Sequence, residues 1–412
     1  MLGIYNLIIE VVNFTLPVFG FLNNKLKKGI DGRRQTFRYL EQNFSKNDTV
    51  FWFHCASLGE YEQGLPVFER IKTKTPKAKI LLSFFSPSGY EIRKDNPITP
   101  YVVYLPLDTR KNVRQFLELT HPKLVIFVKY DLWPNYLQAL KNKAIHTVLI
   151  SALFRPNQHF FGYFASSWRT LIFSFNHIFT QNKTSKKLLE DIGCRNVTLS
   201  KDTRFDRVTN QLNQDNSLPI IEHFLDGKKA IVAGSTWPED NEIISPYINK
   251  DNRSLKFIIA PHDVSPKYIN TLKDEFSDKG VLLSNYDMDI DNTKNILVID
   301  CIGILSKLYS YASLAYIGGG MGTSGLHNTL EAAVFGIPII IGKNYNKFPE
   351  AKEMIKMGGA VSVSSAEEFN SAIENFISNQ NYREECGNKN KSYIDLNRGA
   401  SDIIFEQLKP YI

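Results

Sequence analysis

The chain is poor in the residues that staple small folds or hold metals. Its four cysteines, Cys55, Cys194, Cys301 and Cys386, stand far apart with no Cys-x-x-Cys pair. That argues against a disulfide scaffold or a zinc knuckle and fits a reducing compartment. The eight histidines include no His-Glu-x-x-His pair, so neither a metal nor another cofactor is expected. A Walker A sequence is absent. So is the dinucleotide fingerprint of spaced glycines after the first strand, which leaves hydride transfer without its usual support. No internal repeat or low-complexity tract interrupts the chain, and nucleic acid is not among the expected partners.

What is present points to a large globular protein. Its 412 residues exceed the ~250–300 that one hydrophobic core usually serves, so two domains are expected. The charge is divided between them: residues 1–212 hold 30 Lys and Arg against 16 Asp and Glu, and the remainder 19 against 26. A basic first half implies an anionic surface or partner, either phospholipid headgroups or a phosphorylated substrate. A merely soluble basic domain is the plain alternative.

The N-terminus bears on that choice. Met1 to Leu22 (MLGIYNLIIEVVNFTLPVFGFL) is mostly apolar, is interrupted by Glu10 and Pro17, and is followed by Lys25, Lys27, Lys28, Arg33 and Arg34. A secretory signal would place its bases before the apolar run, so this is a poor one. The stretch barely reaches the ~20 apolar residues of a membrane span. Glu10 at mid-depth would cost about 2.5–3.5 kcal/mol or more. A membrane-seated, monotopic segment is therefore expected over residues 1–24, with a single span and a buried core helix as alternatives.

Beyond it, short apolar runs alternate with helical stretches. Thr49 to His54, Lys79 to Phe84, Tyr101 to Leu105, Lys123 to Val128, Ile145 to Ile150 and His177 to Gln181 read as strands, with helices such as Tyr61 to Lys74 and Pro134 to Lys143 between them. After the polar, linker-like segment Thr209 to Ser217 the pattern restarts. Lys229 to Ala233, Leu255 to Ala260, Val281 to Ser284, Asn295 to Ile299, Leu314 to Ile317 and Ile337 to Ile341 form a second series. Continuous apolar strands with helices between them predict parallel sheets covered on both faces. The expected fold is α/β, with two doubly wound, Rossmann-like domains over residues 25–212 and 213–412 facing a central cleft. The last helix is free to pack back on the first domain.

The chemistry must come from segments at that cleft. Gly318-Gly319-Gly320-Met321-Gly322-Thr323-Ser324-Gly325 follows an apolar strand, and its bare backbone could approach a phosphate or simply make a tight connection. Leu326 to Pro338 (LHNTLEAAVFGIP) then reads as a loop, a helix presenting Asn328 and Glu331 one turn apart, and a strand entered through Gly-Ile-Pro. Asn328 suits a phosphate and Glu331 the hydroxyls of a ribose. Earlier in the chain, Gly59-Glu60 ends a strand and begins a helix, where a carboxylate can take a proton from an acceptor hydroxyl. Its plainer reading is a helix-dipole charge. Glu62, two residues on, would face elsewhere.

Three segments, Phe51 to Gln63 (FWFHCASLGEYEQ), Phe127 to Asn135 (FVKYDLWPN) and the glycine run through Glu331, occur in an order and spacing that resemble the 3-deoxy-D-manno-octulosonic acid (Kdo) transferases. Phe85-Ser86-Pro87-Ser88-Gly89, Thr203-Arg204-Phe205-Asp206, Gly234-Ser235-Thr236 and Ile302-Gly303 extend the likeness over almost the full chain. The resemblance implies a GT-B fold and inverting, metal-independent transfer of Kdo from cytidine monophosphate-Kdo (CMP-Kdo) to a lipid A precursor, lipid IVA, in lipopolysaccharide core biosynthesis at the cytoplasmic face of the inner membrane. It implies Glu60 as general base. It also implies Pro261, His262, Ile302, Gly303, Ile304, Asn328, Thr329, Leu330 and Glu331 as donor contacts, with Lys129 and Arg204 as catalytic residues.

The chain departs from the commoner pattern at several of these positions. Lys129-Tyr130-Asp131-Leu132-Trp133-Pro134 stands where many members read Glu-Thr-Glu-Leu-Trp-Pro, so a first acid becomes Lys129 while Asp131 keeps the second. Lys129 would act on a phosphate or carboxylate, or pair with Asp131 or another cleft acid and hold the loop before Trp133. Arg204 replaces a lysine and offers a bidentate grip on phosphate. Pro261-His262 lacks the arginine of Pro-Arg-His, and Ile302-Gly303-Ile304 replaces Met-Gly-Glu. Two other readings stay open: a lipid glycosyltransferase of the same architecture using a uridine diphosphate sugar, and an inactive membrane-bound relative.

Overall fold

The computed structural model describes residues 2–20, 23–162, 166–249, 255–276 and 279–412. Met1, Phe21 and Leu22 of the apolar segment lie outside the described residues. The chain divides into two units, Met1–Arg207 with Arg398–Ile412, and Val208–Asn397.

The first unit is built on seven parallel strands: β1 (Val50–Cys55), β2 (Lys79–Phe84), β3 (Val102–Tyr104), β4 (Pro122–Val128), β5 (His146–Ala152), β6 (His177–Thr180) and β7 (Val197–Leu199), in the order β3-β2-β1-β4-β5-β6-β7. Their side chains alternate between two cores. Val50 and Trp52 join one cluster, while Phe51, Phe53 and Cys55 join the other, which is what continuous apolar strands do when helices cover both faces. Trp52 is fully buried, with its ring centroid 4.8 Å from that of Phe116 and 5.5 Å from that of Phe127. Truncating such a side chain costs about 3–5 kcal/mol.

The second unit repeats the plan with β8 (Ala230–Thr236), β9 (Lys256–Pro261), β10 (Gly280–Leu282), β11 (Ile296–Val298), β12 (Ala312–Ile317), β13 (Ile339–Gly342) and β14 (Ala360–Val363), in the order β10-β11-β9-β8-β12-β13-β14. Each sheet reverses its winding once, between β1 and β4 in the first unit and between β8 and β12 in the second. Open α/β sheets bind ligands beyond the carboxyl ends of the strands at such a point.

Two helices precede β1. Leu2–Phe19 is apolar and none of its residues is buried, which rules out the core-helix alternative. It is long and apolar enough to cross a membrane. Its polar hooks are Tyr5, which donates to Asp108, and Asn6, which accepts from Asn135 at 2.7 Å. Asn24–Asn43 follows and is anchored by Arg33, whose guanidinium donates to the Leu105 and Phe85 carbonyls and lies over the Phe85 ring.

The helix Ala400–Leu408 belongs to the first unit, where Ile404, Phe405 and Leu408 complete the core beneath the helix Leu58–Lys74. Asp206 caps it by accepting from the Gly399 and Ser401 N–H groups.

Candidate functional site

In the first unit the switch point brings together the two segments singled out in the sequence. β1 ends at Cys55 and the helix Leu58–Lys74 begins three residues later, while β4 ends at Val128 and turns through Lys129 to Trp133. Glu60 lies in the first turn of its helix, 8% exposed, and accepts a 2.5 Å hydrogen bond from the Ala56 N–H. The bond satisfies a backbone donor before the helix, as a capping-box glutamate does. Burial pushes the carboxyl above the usual glutamate range and the Asp131 charge adds to it, while the Ala56 N–H, His54 and Lys129 pull the other way. A glutamate raised toward neutrality is a stronger base than an exposed one.

Glu62 is spent elsewhere: it pairs with Arg93 at 2.6 Å and Arg207 at 2.9 Å. Lys129 sits at φ +73°, a left-handed conformation that costs a non-glycine residue about 1–2 kcal/mol. Its ammonium lies 5.3 Å from the centre of the Tyr130 ring, and it makes no ion pair among the described residues. The expected alternative, a Lys129–Asp131 pair, is not formed because Asp131 already accepts from His54 Nε2 at 2.6 Å and from Trp133 Nε1 at 2.8 Å. Arg204 donates to Asp202 through Nε and Nη2, at 2.9 and 2.8 Å, so its grip on any phosphate would be shared with a carboxylate in its own turn.

The second unit gathers most of the expected donor contacts at the carboxyl edge of its sheet. Pro261 ends β9 and pairs with Thr236 at the end of β8. His262 donates its N–H to the Thr236 carbonyl at 3.0 Å, and its ring stacks on Trp237 at 4.7 Å. Trp237 Nε1–H in turn donates to His327 Nε2 at 3.0 Å. Burial, with His262 adding to it, pushes the His327 imidazole down to about 4, so it is neutral at pH 7. Ile302 is 81% exposed and Gly303 is at φ +96°, in a turn ahead of Ile304 and the short helix Leu305–Leu308. Leu305 and Tyr309 close over Gly234 so tightly that a Cβ there would strike the Tyr309 hydroxyl.

The glycine run is held from within. Gly318 lies against the Ser235 and Thr236 backbone, and Gly320 against Gly342, so neither tolerates a side chain without movement. The buried Asp240 carboxylate accepts from the Gly319 N–H at 2.7 Å, from the Tyr316 hydroxyl at 2.7 Å and from the Trp237 N–H at 2.9 Å. The Gly319 amide is thus occupied by a protein acid. At Gly318 and Gly320 the backbone is packed as closely as a tight connection requires.

Downstream, the expected helix through Asn328 and Glu331 is corrected. The loop runs on through Asn328, and the helix is only Leu330–Ala333. Asn328 accepts from the Leu330 N–H at 3.2 Å and donates to Glu331 Oε1 at 3.0 Å, so the two residues meet across a capping turn. Leu330 is fully buried, and its N–H donates to Asn328 Oδ1. Thr329 is 1% exposed, and its hydroxyl, like that of the buried Thr236, has no hydrogen-bond partner among the described residues. A buried hydroxyl left unpaired is costly.

Sequence reasoning missed His54, Ser83, Trp237, Asp240 and His327. Only their position beside the quoted segments could have signalled them.

A family model described as 3-deoxy-D-manno-octulosonic-acid transferase matches residues 31–207. A 3-deoxy-D-manno-octulosonic acid transferase of Haemophilus influenzae is 27% identical over 376 residues, covering 88% of this chain and 87% of the relative. One of Aquifex aeolicus is 27% identical over 336 residues, covering 79% and 86%. Among solved structures, a UDP-GlcNAc 2-epimerase of Neisseria meningitidis bound to UDP-GlcNAc superposes with a TM-score of 0.62 at 17% identity, over 88% of this chain and all of that one. That likeness concerns the fold alone, two Rossmann-like units of the GT-B type.

Proposed function

We propose that this glycosyltransferase, which is similar to Kdo transferases over most of its length, moves Kdo from CMP-Kdo to a sugar hydroxyl of a lipid A precursor, lipid IVA, during lipopolysaccharide core synthesis. The observation that carries the reading is Glu60. It is a buried carboxylate raised above its usual range, at the switch point of the first sheet, in the segment that resembles the family's base motif. Glu60 takes the hydroxyl proton as the acceptor oxygen bonds to the anomeric carbon. The bond from that carbon to the phosphate oxygen breaks, and cytidine monophosphate leaves with the electron pair. One displacement inverts the centre.

Pro261, His262, the Ile302-Gly303-Ile304 turn, Asn328, Thr329, Leu330 and Glu331 hold the donor, chiefly by backbone and ribose contacts. Lys129 and Arg204 meet substrate anions, since the lipid carries phosphate and Kdo a carboxylate. The leaving group is a monophosphate, with less charge to neutralise than a diphosphate, so transfer proceeds without a divalent ion and survives chelation. The exposed apolar helix Leu2–Phe19 and the basic residues behind it seat the enzyme on the cytoplasmic face of the inner membrane.

Mass spectrometry of lipid IVA after incubation with CMP-Kdo tests the reading: addition of Kdo supports it. Calorimetric binding of uridine but not cytidine nucleotides would replace it with a UDP-sugar transferase. Binding of neither would favour an inactive relative.

A further inference from the structure

A chain of side-chain hydrogen bonds crosses the first unit at its switch point. Trp52 Nε1–H donates to Ser83 Oγ at 2.8 Å, and Ser83 Oγ lies 2.8 Å from His54 Nδ1. His54 Nε2 is 2.6 Å from Asp131 Oδ2, which also accepts from Trp133 Nε1 at 2.8 Å. The residues come from β1, β2 and the turn after β4, three adjacent strands. One proton arrangement satisfies every donor. Ser83 gives its hydroxyl proton to Nδ1, and His54 donates from Nε2 to Asp131. The set contains serine, histidine and aspartate, yet it is no nucleophile: Ser83 and His54 are fully buried, so no substrate reaches the hydroxyl.

We propose that Asp131, fixed by His54 and Trp133, is a positioning residue for the transfer: it sets a negative charge beside Glu60 and clamps the left-handed turn that carries Lys129. The proposal deepens the reading of Glu60 as base and rests on it. Two donors hold Asp131 in place on a turn that Lys129, at φ +73°, would otherwise strain open. A like charge so held disfavours loss of basicity at Glu60, opposing the pull of the Ala56 N–H, His54 and Lys129. The titratable groups around the pair are His54, Lys129 and Cys55 toward Glu60, and His54, Tyr5 and Asp108 toward Asp131. The family's second acid thus keeps a use here even though the first has become Lys129.

The test is the pH profile of kcat/KM for the full chain with CMP-Kdo and lipid IVA. Asp131→Asn retains an acceptor for His54 and Trp133 but removes the charge. Its acid limb should move to lower pH by roughly half a unit to one unit, with the plateau rate falling by up to about tenfold. Asp131→Glu, which keeps the charge, should return the limb toward its original position. His54→Gln keeps a donor toward Asp131 but removes the downward pull of the imidazole on Glu60, so its limb should not move to lower pH while its rate drops modestly. An acid limb that does not move in Asp131→Asn, whatever happens to the rate, overturns the proposal, as does failure of Asp131→Glu to restore it when thermal unfolding shows both variants folded. Glu60→Gln separates the two levels. If that variant turns over normally, the base assignment fails first and this proposal falls with it. If it is inactive while the Asp131→Asn limb stays put, only the proposal fails.

Discussion

The Tyr5 hydroxyl donates a 2.8 Å hydrogen bond to Asp108, a carboxylate with no exposed surface that also caps the helix Pro134–Asn142 by accepting from the Asn135 and Tyr136 N–H groups at 2.9 Å. The exposed apolar helix is therefore tied to the segment that follows Trp133. Burial pushes the Asp108 carboxyl up to about 6, against the hydrogen bonds that favour its ionised form.

Removing that tie should loosen the helix without touching the chemistry. Tyr5→Phe deletes one hydrogen bond to a charged group, about 1.5–3 kcal/mol. We expect faster proteolytic cleavage between residues 2 and 20, unchanged Kdo transfer to a detergent-dispersed acceptor, and an unchanged far-UV spectrum. Deletion of residues 1–24 should leave both units folded and shift the protein from membrane to soluble fractions. A truncated protein that remained with the membrane would show that the first unit binds lipid without this helix.

Glu60→Gln should fold, because an amide oxygen can still accept from the Ala56 N–H. It should bind cytidine nucleotides normally in calorimetry and lose transfer by at least about 10²-fold. Wild-type activity should fall as pH drops through the folded Glu60 pKa, which lies above the usual glutamate range, because the base is then protonated. A pH–rate profile whose acid limb lay at the pKa of an exposed glutamate would contradict the role.

Lys129 combines a backbone and a side-chain contribution, and two substitutions separate them. Lys129→Gly relieves the left-handed strain and should raise the unfolding temperature, whereas Lys129→Ala should not. Both should lower turnover and make the residual rate less salt-sensitive if the ammonium meets a substrate anion. Lys129→Glu, although it restores the commoner family residue, should not recover activity. Full activity in Lys129→Glu would remove the anion contact from the mechanism.

In the second unit, Asp240→Ala strands three donors: the Gly319 and Trp237 N–H groups and the Tyr316 hydroxyl. Each unsatisfied buried group costs about 1–3 kcal/mol, so a loss of several kcal/mol is expected in urea unfolding, together with weaker nucleotide binding. Glu331→Ala should act differently, raising the nucleotide Kd by about tenfold while stability changes little. Equal effects on stability from both would show that Glu331 is structural.

Much of this architecture was legible because its signals are local. Lys79–Phe84 is apolar throughout and was bounded to the residue, and β1, β4 and β9 were displaced by only a residue or so. Two edge strands were missed, Val197–Leu199 and Ala360–Val363, since three or four residues containing Thr or Ser carry too little apolar run to stand out. The site was legible only in part for a related reason. Glu60 and Asn328 announce themselves through their neighbours in sequence, but the partner of Asp131 lies 77 residues away, and nothing near Gly319 says that Asp240 occupies its amide. The length of the helix at Leu330 was misjudged because the loop before it uses Asn328 as a turn-former, which competes with helix for the same backbone N–H.

The return of Ala400–Leu408 to the first unit bears on how the protein is made. Ile404, Phe405 and Leu408 fill a core whose other walls are complete by about residue 207, and Asp206 waits for the Gly399 and Ser401 amides. During synthesis the first unit must stay open along the helix Leu58–Lys74 while some 190 further residues emerge, roughly 10–40 s at ordinary elongation rates. The second unit, whose residues are contiguous, can close before the first is sealed. A ribosome that stops short of residue 408 releases a chain with an apolar seam beside Glu60's helix, and such truncated products should be the ones that chaperones hold and proteases remove.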